Sequence, residues 1–221
     1  MKARRAQSVA DIKLVAFGDP RPEDAAADGA WSLPSSRSEV EGIAALFGTR
    51  AVTYLGDQAT ERRAKTGLAG FSHVHFACHG TLDEQFPLHS ALLLSEPDDI
   101  RDGDENGRLQ VWEIFEDVRI DADLVVLSAC HSGLGQERGG EGLMGLTRAF
   151  QYAGARSVVA SLWRVSDQAT ADLMLGFYRH LKEGRTKAEA LRAAQVELIT
   201  AGRTAARPLH WAAFAVFGDW Y

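Results

Sequence analysis

The chain has 221 residues, of which 46% are hydrophobic and 24% charged, and its formal net charge is -6 at pH 7. This length and composition predict one globular domain over residues 1–221 and exclude a disordered chain. The acidic balance, without a Lys/Arg stripe, argues against nucleic acid as a partner, and no apolar run approaches the roughly 18 to 20 residues that span a bilayer. The basic N-terminus is not followed by the apolar segment of a secretory signal, so we expect a cytoplasmic protein.

Six apolar, β-branched runs bounded by Gly, Pro and Asp predict the strands of the domain. In chain order they cover residues 13–17, 51–55, 73–77, 123–129, 157–163 and 212–217. Near-continuous apolar runs of this length are typical of strands buried on both faces of a parallel sheet. The sequence leaves open whether the last two runs pair across a dimer or with a sheet outside the chain.

A helical period follows the first predicted strand. Ser36 or Ser38 is the expected N-cap, because a hydroxyl there can accept a hydrogen bond from a free backbone N–H of the first turn. One face of this helix carries the apolar residues Val40, Ile43, Ala44 and Phe47.

Three further helices are predicted in the second half of the chain. The first ends at Gly154, the second opens at Asp167 and stops at Gly184, and Thr186 caps the third. Strands that alternate with helices predict an α/β domain with a mostly parallel sheet flanked by helices. In such sheets, ligands and reacting groups gather beyond the carboxyl ends of the strands.

The third and fourth predicted strands end in the same dipeptide, Cys followed by His. Cys78-His79 and Cys130-His131 contain both cysteines of the chain. Adjacent strand residues point to opposite faces, and zinc sites use ligand pairs spaced by two or more residues, so a zinc site is disfavoured. We therefore take one residue from each pair: His79 as base and Cys130 as thiol nucleophile, with no metal. Cys78 is assigned to core packing and His131 to the wall of the pocket.

Glycines flank this candidate dyad. The backbone N–H groups of Gly80 and Cys130 are the expected oxyanion hole for a tetrahedral intermediate. His79 precedes Cys130 by about 50 residues, which is the His-to-Cys separation of caspases.

Several motifs together resemble one family. They are HVHFACHG, LVVLSACHSGLG, GGEGLMGLTRAFQYAGARSVVASLWRVSDQAT, FYRHLKEG and HWAAFAVFGDW. The sequence resembles the CHAT domain, a branch of the caspase-like cysteine peptidases of clan CD related to separases and metacaspases. The resemblance implies a caspase-haemoglobinase fold, with His79 as general base and Cys130 as nucleophile.

The chain departs from the family in two ways. We expect the chain to lack the N-terminal segment usual in CHAT domains and the tetratricopeptide (TPR) repeats that often precede them, and we expect residues 1–11 to be flexible. Two expectations stay open: the partner-sensing part is a separate regulatory or TPR-containing chain, or this chain is a trimmed or standalone catalytic core. Metacaspases carry Asp where Ser128 stands, so a basic substrate preference does not carry over. The candidates for substrate contact are Asp19, Ser128, Trp163 and Asp167, although Asp167 also suits a helix N-cap.

Two other motifs resemble known ligand-binding patterns. The segment from Asp102 to Glu113 fits the calcium-loop pattern, with Asp104, Asn106 and Gly107 in place, but it lacks a good entering helix. We therefore expect an acidic surface loop that leads into a short helix, and no required cofactor; calcium binding by this loop is the less favoured alternative.

A glycine-rich segment follows Cys130. Gly133, Gly135 and Gly139 miss the dinucleotide-binding spacing by one residue, which favours a substrate-binding or processing loop over a nucleotide site. Cleavage after Arg138 is a self-processing hypothesis.

These observations predict a cysteine endopeptidase that cleaves protein substrates through a His-Cys dyad and a thioester acyl-enzyme. The alternative is a caspase-like interaction module with little or no proteolytic activity, dependent on a partner chain. The intact His79 and Cys130 favour the enzyme.

Overall fold

The computed structural model describes residues 11–22, 33–96, 105–128, 130–131, 141–202 and 206–221, and for residues 130, 131 and 141 it describes the backbone alone. Residues 1–10 of the predicted flexible segment lie outside this description. Among the described residues, no helix combines the length and hydropathy needed to cross a membrane.

Strands and helices alternate along the described chain. They are β1 (Leu14–Gly18), α1 (Pro34–Phe47), β2 (Ala51–Leu55), α2 (Glu61–Thr66), β3 (His73–Ala77), β4 (His79–Thr81), β5 (Ala91–Leu93), β6 (Arg108–Gln110), α3 (Val111–Asp117), β7 (Leu124–Leu127), β8 (Cys130–His131), α4 (Glu141–Ala153), β9 (Ser157–Ser161), α5 (Asp167–Lys182), α6 (Lys187–Ala201), α7 (Pro208–Trp211) and β10 (Phe214–Gly218).

The main sheet contains a strand at each of the six predicted positions. Its order is β10-β9-β7-β3-β1-β2, and every neighbouring pair is parallel except β9 with β10. The predicted α/β architecture with a mostly parallel sheet is thus confirmed. The last two strands, whose partners the sequence left open, pair with each other.

A second, smaller sheet was not predicted. Its order is β6-β5-β4-β8. Only Cys78 separates β3 from β4, and β8 follows closely on β7, so this sheet prolongs the two central strands of the main sheet beyond their carboxyl ends. Strands of two or three residues are too short to give a periodic sequence signal.

Helices cover both faces of the main sheet. One core cluster packs α1, α5 and α6 against residues such as Leu14, Ala77 and Val126, and the other packs α3 and α4 against residues such as Val15 and Leu127. Cys78 is fully buried in the second cluster, where the sequence assigned it to core packing.

The predicted N-cap of α1 is wrong. The capping position is Leu33, and Pro34 occupies the start of the helix, where its fixed φ fits and its missing N–H costs nothing. Ser36 and Ser38 lie inside the helix, and their hydroxyls donate to the backbone oxygens of Leu33 and Ser35 at 2.7 and 2.8 Å.

The predicted boundaries of α5 and α6 are close to the observed ones. Ser166 caps α5, one residue before Asp167, and its side chain accepts from the backbone N–H of Ala169. Thr186 caps α6 as predicted and forms a reciprocal capping box with Glu189.

Gly154 ends α4, and no other residue fits there. Its φ is +122°, and a Cβ would lie 1.8 Å from the backbone oxygen of Ile120. This close approach, in addition to the backbone conformation, explains the predicted helix stop.

His73 makes stability depend on pH. Its ring is buried beside Ser72, and burial, helped by the positive charge of Lys187, lowers its pKa from 6.5 to about 3. The folded protein keeps this ring neutral, whereas the unfolded chain takes up a proton below pH 6.5. The stability that the neutral His73 contributes is therefore fully present above pH 6.5 and is lost as pH falls towards 3.

We expect His73→Asn to flatten the acid limb of the stability curve. Protonation of His73 in the unfolded chain costs about 1.4 kcal/mol of folding free energy per pH unit below its unfolded pKa. Urea titrations of both proteins from pH 7 to pH 4 measure the difference. Parallel curves over this range would contradict the assignment.

Candidate active site

The two candidate catalytic residues stand opposite each other in the small sheet. In the parallel pairing of β4 with β8, His79 is in register with Cys130, and Gly80 with His131. The pairing of β3 with β7 has the same offset, since His75 is opposite Val126. The 51-residue separation of His79 and Cys130 is therefore the register of two neighbouring strands.

The position of this pair follows from the sheet. β3 and β7 are central strands, and β4 and β8 continue them past the carboxyl edge, where α/β folds hold their reacting groups. His79 is buried, with 6% of the residue exposed. The side chain of Cys130, the glycines at 133, 135 and 139 and the proposed cleavage site at Arg138 lie outside the described residues.

Gly80, assigned to the oxyanion hole, lies inside the small sheet. It is buried in β4, opposite Leu92 of β5 on one side and His131 of β8 on the other. The assignment of its N–H and that of Cys130 to an oxyanion stays a prediction.

Ser128 is turned into the fold. It is 4% exposed, and its hydroxyl donates to Oε1 of Glu39 at 2.6 Å. The same oxygen lies 2.9 Å from Nε2 of His75. This contact gives the hydroxyl a structural partner, while the predicted contact of Ser128 with substrate stays a prediction.

Asp19 and Asp167, the two candidate acids, both bind the first turn of α1. The Asp19 carboxylate accepts two hydrogen bonds from the guanidinium of Arg37, at 2.9 and 2.7 Å, and it raises the pKa of Arg37. The Asp167 carboxylate accepts from the backbone N–H of Ser35 at 2.6 Å. A cationic substrate group would have to compete with these donors.

Trp163 also has an internal contact. Its indole Nε1 donates to the backbone oxygen of Leu209 at 3.1 Å, and its ring is partly buried against the α5 and α6 core cluster. Its assignment to substrate binding stays a prediction, as do those of Asp19 and Asp167.

An open cleft of about 720 Å³ adjoins β4, the strand that carries His79. It was not predicted, because its walls come from segments that are distant in sequence. Its lining residues are Thr81, Leu82, Asp83, Glu84, Gln85, His89, Arg108 and Gln110.

The described part of the calcium pattern is held by internal contacts. One oxygen of Glu113 lies 2.6 Å from the ammonium of Lys65, and the other accepts from the backbone N–H of Gln110. Asp102 and Asp104 lie outside the described residues. Within the described ranges, no group of three His, Cys, Asp or Glu side chains is placed to hold a metal ion.

Similar proteins are found in both sequence and structure comparisons. Tetratricopeptide repeat protein 28 of Mus musculus is 27% identical over 232 residues, and that of Homo sapiens is 26% identical over 234 residues. Each alignment covers 92% of this chain but only 9% of the relative, so the chain spans a small part of these proteins.

Solved structures share the fold at low sequence identity. The Arg-specific cysteine proteinase gingipain R matches with a TM-score of 0.60 and 14% identity, over 99% of this chain and 48% of that one. The complex of the Porphyromonas gingivalis RgpB pro- and mature domains matches with a TM-score of 0.56 and 11% identity, over 99% and 49%.

These matches confirm the caspase-like fold. The family model of the CHAT domain matches residues 1–219. The chain therefore belongs to the CHAT domain family.

Proposed function

We propose that this chain is a cysteine endopeptidase that cleaves protein substrates through a His79–Cys130 dyad and a thioester acyl-enzyme. The observation that carries the proposal is the direct register of His79 with Cys130 on paired strands at the carboxyl edge of the sheet. Membership of the CHAT family and the fold shared with gingipain R, a cysteine proteinase, support it.

The proposed chemistry is acyl transfer. The thiolate of Cys130 attacks the scissile carbonyl carbon, and the backbone N–H groups of Gly80 and Cys130 stabilise the oxyanion that forms. His79 takes the thiol proton and gives it to the leaving amine, so the C–N bond breaks and a thioester remains. Water, deprotonated by His79, then hydrolyses the thioester. This sequence requires no metal or other cofactor.

The proposed dyad requires a reduced cysteine and a place for substrate nearby. Thiolate catalysis needs a reduced cysteine, which is consistent with our proposal of a cytoplasmic enzyme. The cleft beside β4, the strand that carries His79, offers a place for an extended substrate. We do not extend the Arg specificity of gingipain R to this chain, because Asp19 and Asp167 already bind donors on α1.

A regulatory partner is part of the proposal. The two relatives named above are tetratricopeptide repeat proteins, and this chain matches 9% of their length. We propose that a TPR-containing region, on the same or another polypeptide, controls access to the site.

The first test needs no substrate. Alkylation of Cys130 by iodoacetamide, followed across pH by peptide mass spectrometry, should show a thiol pKa at least one unit below the ~8.5 of free cysteine. His79→Ala should return it to the ordinary range, because the imidazolium that stabilises the thiolate is gone.

Cys78 is the internal control for this experiment. It is fully buried and should resist alkylation in both proteins, so its reaction would report unfolding. If Cys130 has an ordinary pKa that His79→Ala does not change, the dyad is not assembled and the chain is an interaction module that depends on a partner.

A further inference from the structure

We propose that Glu39 is a positioning residue for the dyad, joining by one carboxylate oxygen the two strands whose continuations carry His79 and Cys130. This inference rests on the proposed function. Glu39 lies on α1, and the sequence gives it no role beyond the polar face of a helix.

One oxygen of Glu39 binds both strands. Its Oε1 accepts from the Ser128 hydroxyl at 2.6 Å and lies 2.9 Å from Nε2 of His75. His75 is part of β3, and Ser128 directly follows β7. The carboxylate thus spans the pair of strands from the side of α1.

The tautomer of His75 follows from its two partners. Nε2 faces an acceptor-only carboxylate and so carries the proton, which leaves Nδ1 to accept from the Tyr178 hydroxyl at 3.4 Å. Burial, and then the charge of Glu39, raises the pKa of Tyr178 well above its ordinary value, so its hydroxyl stays protonated. The bonds therefore run from Tyr178 to His75 and from His75 and Ser128 to Glu39.

The cluster lies directly before the proposed dyad along both strands. Ser128 precedes Cys130 by two residues, and His75 precedes His79 by four. The pairing of β3 with β7 has the same register as that of β4 with β8. Fixing Ser128 therefore fixes the backbone that presents Cys130, and fixing His75 fixes the strand that presents His79.

Burial sets the kind of role that Glu39 can have. Its side chain is 1% exposed, and that of His75 is fully buried, so Glu39 does not touch substrate. A buried carboxylate costs free energy that an apolar side chain would not cost, so packing alone does not explain its presence. The Glu39 carboxylate makes two directional contacts, with Ser128 and His75, and these hold the two strands in place. Such positioning matters because reaction rates fall steeply when reacting groups move by about 1 Å.

Ser128→Ala tests the inference with the smallest change. Losing the hydroxyl should raise the alkylation pKa of Cys130 by about one unit and lower its rate at pH 7 about tenfold, while Cys78 stays protected. Glu39→Leu is a second variant of similar size that removes both acceptor oxygens, and it should shift the Cys130 profile in the same direction.

Ser157→Ala is the matched control. Ser157 is buried, as Ser128 is; it begins the neighbouring strand β9, and its hydroxyl donates to the backbone oxygen of Asp219. This variant removes an equivalent hydrogen bond at the other end of the sheet. It should lose a similar amount of stability and leave the Cys130 profile unchanged.

The outcomes separate the two proposals. A lowered Cys130 pKa in the unaltered chain that rises in Ser128→Ala and Glu39→Leu, but not in Ser157→Ala, supports the positioning role. A lowered pKa that both cluster variants leave unchanged overturns that role while the dyad stands. An ordinary pKa in the unaltered chain overturns the dyad and, with it, the positioning role.

Discussion

Cys130→Ala is expected to abolish proteolysis, and His79→Ala to lower kcat/KM by on the order of a thousandfold or more, because the nucleophile and its base act as one unit. The measurement is the appearance of new N-termini, identified by mass spectrometry, in a denatured protein mixture incubated with each protein. The double variant should lose no more activity than Cys130→Ala alone, since residues that act as a unit are not additive.

Cys78→Ala is the control for the loss of a thiol. Cys78 lies next to His79 in sequence but belongs to the core cluster on the α3 and α4 side of the sheet. Its variant should lose some stability through the small cavity it creates and still cleave the mixture. Cleavage that survives in Cys130→Ala, or that disappears equally in Cys78→Ala, would reject Cys130 as the nucleophile.

The backbone of this site could be predicted from local sequence. The runs ending in His79 and Cys130 are apolar enough to identify two buried strands, and parallel strands in such folds end at one edge of the sheet. Their common register could not be predicted, because it depends on the crossover between them, which contains β5, β6 and α3. The choice of one residue from each Cys-His pair followed from strand alternation, which turns adjacent side chains to opposite faces, and the resemblance to a family agreed with it.

The polar contacts around the site could not be predicted. Glu39 looks like any acidic residue on a helix, and only the packing of α1 on the sheet brings it to Ser128. The N-cap of α1 was missed for a related reason, because Ser36 and Ser38 bond backward to earlier carbonyl oxygens while Pro34 sets the start of the helix. When a side chain can form several local hydrogen bonds, tertiary context decides which one it forms.

A buried ion cluster stabilises the segment that forms one wall of the cleft. The ammonium of Lys65 lies 2.6 Å from an oxygen of Glu61 and 2.6 Å from an oxygen of Glu113, and these three side chains are 11%, 0% and 4% exposed. Burial lowers the pKa of Lys65, but its bonds to the two carboxylates outweigh this and hold the pKa well above its ordinary value. Burial also raises the pKa of Glu61.

Lys65→Met is therefore expected to lower the free energy of unfolding by about 3–5 kcal/mol at pH 7, because it leaves two buried carboxylates without their cation. Urea unfolding measures this. The loss should shrink as pH falls, since protonation of the unpaired carboxylates removes the buried charge. Arg21→Met is the control, because the Arg21–Asp57 pair is 64% and 66% exposed and its loss should cost less than about 1 kcal/mol. Equal losses in the two variants would contradict the argument.

The same cluster links stability to the proposed reaction. The second oxygen of Glu61 accepts from the backbone N–H groups of Asn106 and Arg108, so the cluster holds the strand β6 that lines the cleft beside β4. Lys65→Met should therefore raise KM for a cleaved peptide more than it lowers kcat, because His79 and Cys130 lie on other strands.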